Sequence, residues 1–410
     1  MKILYLHQYF ITPKSPGGTR SYEMARRLVA AGHEVHMITS SQDQLENREF
    51  WRETDEAGIR VHWANIPYHN GMSWIARVKA FLTFAVVSSR KAASIRDADV
   101  IFATSTPLTI AIPAIYASWR RRVPYVFEVR DVWPAVPIAL GAIKNPLLRW
   151  LAKRLERSAY FRAAHVVALA PGMADEVAKT GYPHKKITVI PNGCDNDVFA
   201  APIRVTPPSL SAAQEWLGDR PLILFAGTLG MANNVGYVAD IAAAMARINP
   251  NARFAIIGSG ADAEAIKAKA ISLGVWENSL RMISAIPKQD LAAWIQRSTI
   301  CLALFSGPRI LWKDAVQNKF FDALAAGKPV ASNHEGWQCQ IAIENDVGFA
   351  ISNDDPVAAA HKLNQAIMDT LWLSGVSDRA KALASGNFSR DYLANQLEEC
   401  LKQIVCEPPR

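Results

Sequence analysis

Cysteine is scarce and unpatterned in this chain: its 410 residues include five, Cys194, Cys301, Cys339, Cys400 and Cys406. None forms a CxxC pair or has histidines at metal spacing, which argues against a disulfide framework or a zinc site and fits a reducing cytosol. Long apolar runs are missing as well. No stretch reaches the roughly 18 residues that a spanning helix needs. The opening MKILYLHQYFITP, closed by Pro13 without a small-residue cleavage site, reads as a buried first strand rather than a signal peptide. There is no GxGxxG, and no acid closes the second apolar run EVHMITS, so a nicotinamide dehydrogenase loses support. Zinc-finger and RNP-type signatures are absent, which leaves nucleic acid a poor explanation of the basic charge.

What is present begins with length and apolar content. Half of the 410 residues are hydrophobic, enough for two packed domains rather than one. Charge is uneven. Met1 to Asp195 holds 26 Lys and Arg against 16 Asp and Glu, while the remainder holds 19 against 21. The basic half is densest in Arg77–Arg96, Trp119–Pro124 and Lys144–Arg162. The last sets Leu147, Leu148, Trp150, Leu151, Leu155 and Tyr160 against Arg149, Lys153, Arg154, Arg157 and Arg162. That is the pattern of a basic amphipathic helix lying on anionic lipid, or of a core-facing helix with a solvated face.

Short β-branched runs alternate with helical stretches from end to end. KILYL, EVHMIT, IRVHW, DVIFAT, PYVFEV, HVVALA and KITVIP come first; the pattern restarts after PNGCDNDVF with PLILFAG, RFAIIG, LRMIS, TICLAL, KPVAS and VGFAI. Such alternation predicts two parallel-sheet α/β units in tandem, with ligands beyond the carboxyl ends of the strands, in a cleft between the units. Three local features point at ligands. Gly17-Gly18 opens a helix start beside Arg20, where backbone can approach a ligand and a cation is at hand. Arg130 and Asp131 follow a strand directly; they are ligand contacts, a mutual pair or a helix cap. AVQNKFFDALAAGKPV places Asn318, Lys319 and Asp322 on the first turns of a helix, where anions bind. Asp195-Asn196-Asp197 matches a metal-binding DxD, but it sits among turn residues and reads as hinge structure, with no metal expected.

In this order, MKILYLHQYF, FEVRDVWP, VIPNGCDNDVF, FAGTLG, FAIIGSG and NKFFDALAAGKPV resemble the family 4 retaining glycosyltransferases of the two-Rossmann-domain (GT-B) type. Within it the chain is most similar to the WbuB-type transferases of bacterial surface-polysaccharide assembly. The resemblance implies an acceptor-binding, membrane-facing domain at 1–195, a nucleotide-sugar domain at 196–388, and a C-terminal helix at 389–410 packing back on the first domain. It implies a UDP-sugar donor, of N-acetylfucosamine type among the candidates, and a lipid-linked saccharide acceptor at the cytoplasmic face of the inner membrane, serving O-antigen, capsule or exopolysaccharide assembly. It also implies retention without a metal or other cofactor.

Carried over by position, the resemblance gives Lys319 the donor diphosphate, Asp322 the ribose hydroxyls and Asp314 the donor sugar. The helix is expected to start near Val316. Gly17, Gly18, Gly227, Thr228, Gly258, Gly260, Pro287 and Asn318 are expected around the donor, with Arg130 and Asp131 at the reacting centre. The chain departs from the family in five places. Arg130 stands where many relatives have a histidine, and Thr228 and Asn233 or Asn234 stand where they have an arginine and a lysine. Asp314 and Asp322 replace two glutamates. Lys319 is therefore expected to carry the missing charge, with Arg309 and Lys313 near it. A sugar-nucleotide epimerase of the same fold and a non-catalytic scaffold are the alternatives.

Overall fold

The structure is a computed structural model that describes residues 1–13, 15, 17–41, 49–67, 72, 74–139, 141, 143–307, 312–313 and 315–406. It divides into two units. The first comprises Met1–Thr12, Thr19–Pro191 and Asp391–Arg410, the second Pro13–Gly18 and Asn192–Arg390. The border thus falls at 191/192, and the segment holding Gly17 and Gly18 groups with the second unit.

The first unit is built on an eight-stranded sheet. In chain order its strands are β1 (Lys2–Leu6), β2 (Glu34–Ser40), β3 (Trp51–Glu56), β4 (Ile59–Ala64), β5 (Val100–Thr104), β6 (Tyr125–Val129), β7 (His165–Ala168) and β8 (Ile187–Val189). They lie side by side as β3-β4-β2-β1-β5-β6-β7-β8. All pairs are parallel except β3 with β4. β5 and β6 are buried at every position because helices cover both faces of a parallel sheet, so such strands read as unbroken apolar runs. β3, WRETDE, has no such run. It is an edge strand whose charged side chains deter pairing with another chain, and the sequence pattern does not announce it. Helix Arg390–Cys406 adds Leu393, Leu397, Leu401 and Ile404 to the core formed by β1, β2 and helix Arg20–Ala30.

The second unit carries a wholly parallel sheet of β9 (Leu222–Ala226), β10 (Arg253–Ile257), β11 (Leu280–Ile283), β12 (Ile300–Ala303), β13 (Val330–Ser332) and β14 (Gly348–Ala350). Their spatial order is β11-β10-β9-β12-β13-β14. Between β12 and β13 lies helix Asn318–Ala325, which begins at Asn318 rather than near Val316. It stops because Gly327, at φ +67°, takes the left-handed conformation that closes a helix, and Pro329 cannot continue it. Phe320, Phe321, Ala323, Leu324 and Ala325 are buried, which fixes the rotation of the helix about its axis. Lys319 and Asp322 are each left half-buried.

Candidate functional site

In the second unit the loops at the carboxyl ends of β9 and β10 meet the first turn of helix Asn318–Ala325. Gly227 donates its N–H to Ile257 (2.9 Å), and Leu229 to Ser259 (2.9 Å), so the two loops run side by side. Gly258 has to be glycine there: a Cβ would fall 1.9 Å from the Gly227 carbonyl oxygen. Lys319 reaches into this corner. A Cβ on Gly227 would sit 3.4 Å from the Lys319 Nζ, which donates to Asn233 Oδ1 (3.3 Å) and lies 4.1 Å from the centre of the Phe225 ring. Asn233 in turn donates to the Thr228 carbonyl (2.8 Å), tying the exposed Thr228 into the same loop. On the other side, a Cβ on Gly18 would meet the Asn318 amide at 2.8 Å. The structure thus brings together Gly18, Gly227, Thr228, Gly258, Asn318 and Lys319, with Gly260 packed against the Leu229 backbone.

The electrostatics of this corner are set by burial. Lys319 has no carboxylate partner among the described residues, and burial lowers its pKa to about 7. Asp322, one turn along, is raised to about 7 by burial, opposed by Lys288 and Arg390 and reinforced by Asp195. It lies toward a separate charged cluster rather than toward Lys319. There Asp195 is buried and accepts from Lys288 and from Arg390 Nε (2.8 Å). Two cations outweigh its burial and hold its pKa down at about 2. Asp195 therefore has both oxygens engaged in ion pairs. Pro287 caps the helix Lys288–Arg297 that delivers Lys288 to this cluster.

Several polar atoms around the start of helix Asn318–Ala325 are buried without a hydrogen-bond partner among the described residues. They are Asn318 Oδ1, Gln317 Oε1 and Asn192 Oδ1. Buried groups are usually paired, so these atoms make the helix start a candidate site for polar contacts. Asn192 lay in view in the PNG turn, and His334 has no pattern in sequence to mark it. His334 follows β13, against the rings of Phe305 (5.7 Å) and Trp312 (6.4 Å). Its pKa is lowered to about 4 by burial and by the Lys319 charge, with the Ala303 backbone opposing.

In the first unit Arg130 and Asp131 do not pair with each other. Arg130 Nη1 lies 3.3 Å from His7 Nε2, and Asp131 accepts from the Thr106 hydroxyl (2.7 Å). Arg20, read from sequence as a ligand cation, is instead fully buried. It donates to Glu128 (3.0 and 2.8 Å) and to the carbonyls of Ile190 and Pro191. Its donors are thus taken up by Glu128 of β6 and by backbone carbonyls. Asp314 and Arg309 lie outside the described residues.

Residues 17–193 match the family model described as a glycosyl transferase 4-like domain, and residues 220–369 match that for glycosyl transferases group 1. The chain is a glycosyltransferase of the GT-B fold. Solved structures similar to the transferase include HepE of Anabaena in complex with UDP-glucose, at 18% identity over 98% of this chain and 100% of that one, with a TM-score of 0.70. A glycosyltransferase from Rickettsia africae is 17% identical over 99% of both chains, at 0.68. WaaG, a glycosyltransferase involved in lipopolysaccharide biosynthesis, is 15% identical over 99% of this transferase and 100% of itself, at 0.65. No curated protein sequence matches the transferase.

Proposed function

We propose that the transferase moves a sugar, with retention at the anomeric carbon, from a UDP-sugar held by the second unit to a lipid-linked saccharide held by the first. The pathway it best suits is bacterial surface-polysaccharide assembly of the WbuB type: O-antigen, capsule or exopolysaccharide. The observation that carries the donor half is Lys319. A half-buried ammonium with no counter-ion among the described residues, at a helix start and beside a glycine backbone, is costly until an anion arrives. A nucleotide diphosphate supplies that anion, and HepE and a trehalose-6-phosphate protein of E. coli have been solved with UDP-glucose and UDP-2-fluoro glucose respectively.

In this reading the bond from the anomeric carbon to the diphosphate oxygen breaks and its electron pair leaves with the phosphate. The acceptor hydroxyl oxygen bonds to the carbon on the same face, and its proton passes to the departing phosphate oxygen. Lys319 and the N–H groups of the helix start stabilise the negative charge as it builds, which needs neither a protein nucleophile nor a metal. Asp322 grips the ribose hydroxyls, Pro287 lines the base, and Gly17, Gly18, Gly227, Thr228, Gly258, Gly260 and Asn318 let backbone and amide groups close on the donor. Asp314 takes the donor-sugar hydroxyls, and Arg130 and Asp131 stand at the reacting end of the acceptor unit.

The acceptor half rests on one face of the first unit. Helix Pro146–Arg162 starts with Asn145 capping Leu147 and Leu148, and leaves Leu147, Leu148, Trp150 and Leu151 exposed, Trp150 to 56%. Leu155 is half-buried and Tyr160 buried, so only the far end of the helix packs as a core element. The neighbouring helix Ala111–Arg121 exposes Ile112, Tyr116 and Trp119. Exposed apolar side chains among Arg149, Lys153, Arg154 and Arg157 suit an anionic lipid surface, where a lipid-linked acceptor is presented.

The test of the donor half is turnover of UDP-sugars by Lys319→Met against a surface control, Lys362→Met. Removing one preorganised charge at a developing oxyanion costs a factor of about 100 to 1,000 in rate. Near-normal turnover by a folded Lys319→Met protein sinks this assignment.

A further inference from the structure

At the carboxyl edge of the first sheet, adjacent strands β1, β5 and β6 are each followed by a polar loop. His7 comes from the first, Ser105 and Thr106 from the second, Arg130 and Asp131 from the third. Parallel sheets bind their ligands at this edge. Arg130 is held in two places: its backbone N–H donates to Ser105 Oγ (3.0 Å), and its Nη1 faces His7 Nε2 at 3.3 Å. Guanidinium nitrogens only donate, so His7 Nε2 must accept and the imidazole proton lies on Nδ1. His7 is 3% exposed, and its Nδ1 has no partner among the described residues. Burial, reinforced by the Arg130 charge, keeps the ring neutral by holding its pKa well below the usual histidine range.

The acids near this edge are already committed. Glu128 has Arg20 on one oxygen and the Thr104 hydroxyl on the other. Asp131 is exposed and takes the Thr106 hydroxyl. Among the described residues Arg130 therefore has no ion pair: its single side-chain partner is a neutral imidazole. A half-buried guanidinium braced in this way presents its remaining N–H donors as a fork, a geometry that matches an oxyanion.

We propose that Arg130, braced by His7, forms a phosphoryl-binding subsite of the first unit. The inference rests on the donor and acceptor reading above, in which both reactants bring phosphoryl groups. His7 is the positioning residue and Arg130 the contact. Arg130 and His7 belong to the first unit, and the corner around Lys319 belongs to the second.

Calorimetric titration of the full chain with inorganic diphosphate, UDP and geranyl diphosphate tests this, the diphosphates being added both without UDP and with UDP saturating. With UDP saturating, the wild type is expected still to bind a diphosphate, and Arg130→Gln to bind it about 10- to 100-fold more weakly, the loss usual for one charge-assisted contact. Unchanged UDP affinity in that variant makes the phosphoryl group the acceptor's; an equal loss for UDP makes it the donor's. His7→Gln, which keeps an acceptor atom facing Arg130, is expected to retain binding, and His7→Leu to fall with Arg130→Gln. Equal affinity of wild type and a folded Arg130→Gln for all three probes overturns the proposal, as does a wild type that binds none of them. Failure of UDP alone to bind the wild type removes the donor reading, while the diphosphate titrations still decide Arg130.

Discussion

Lys319 and Asp322, one turn apart on one helix, are both displaced toward neutrality by burial, and in opposite directions. The lysine falls from 10.5 to about 7 and the aspartate rises from 3.8 to about 7. Each therefore costs stability in its charged form. For Lys319 the unfolded chain binds more protons than the folded one between pH 7 and 10.5, so its penalty is full below pH 7 and fades as pH rises through that window. For Asp322 the folded chain binds more protons between pH 3.8 and 7, so its penalty grows through that window and is full above it. Thermal unfolding across pH is expected to find Lys319→Met more stable than wild type, with its advantage largest below pH 7 and shrinking toward 10.5. Asp322→Asn should gain its advantage between about pH 4 and 7. Flat differences across those windows would mean that neither group is desolvated as described. The position of Lys319 was legible in sequence because a cation after Gln317-Asn318 on an otherwise apolar helix has no structural use. His334 and His7 were not, since a single histidine after a strand carries no spacing, and only folding shows that its ring is buried.

At the scale of elements, thirteen apolar segments announced their strands because parallel sheets bury both faces. β3 went unseen because an edge strand facing water has every reason to be charged. Helix Pro146–Arg162 shows what periodicity leaves open. Its apolar set is the same whether it faces core or lipid, and the fold separates the two: the first half is exposed, and Ala159 and Tyr160 near the end are buried. Glu156, its one acid, is raised to about 7 by burial, so the helix loses its negative charge as pH falls below neutral. Each basic residue near an anionic surface contributes about 1 kcal/mol, screened by salt. Replacing Lys153, Arg154 and Arg157 by Glu is therefore expected to abolish sedimentation with anionic liposomes at low salt. Cosedimentation equal to that of wild type would show that this helix is not the contact.

Across the whole molecule, charge and chemistry divide between the units in the same way. The excess of Lys and Arg lies before Asp195, and the corner built around Lys319 lies after it. Pattern alone revealed the two α/β units, since strand-helix alternation restarts after the PNG turn. The grouping of Pro13–Gly18 with the second unit was invisible, because it depends on packing between residues some 300 positions apart, Gly18 and Asn318. The proposed role of Lys319 in the second unit is to hold a nucleotide diphosphate with a desolvated side chain. It is tested most directly by titrating wild type and Lys319→Met with UDP at pH 8 in two buffers of different ionisation enthalpy. With a free pKa of about 7, Lys319 is mostly neutral at pH 8 and becomes charged against the diphosphate. Wild type is expected to take up close to one proton on binding, and Lys319→Met to take up none and to bind about 10- to 100-fold more weakly. Equal affinity and equal proton uptake in the two proteins would rule that role out.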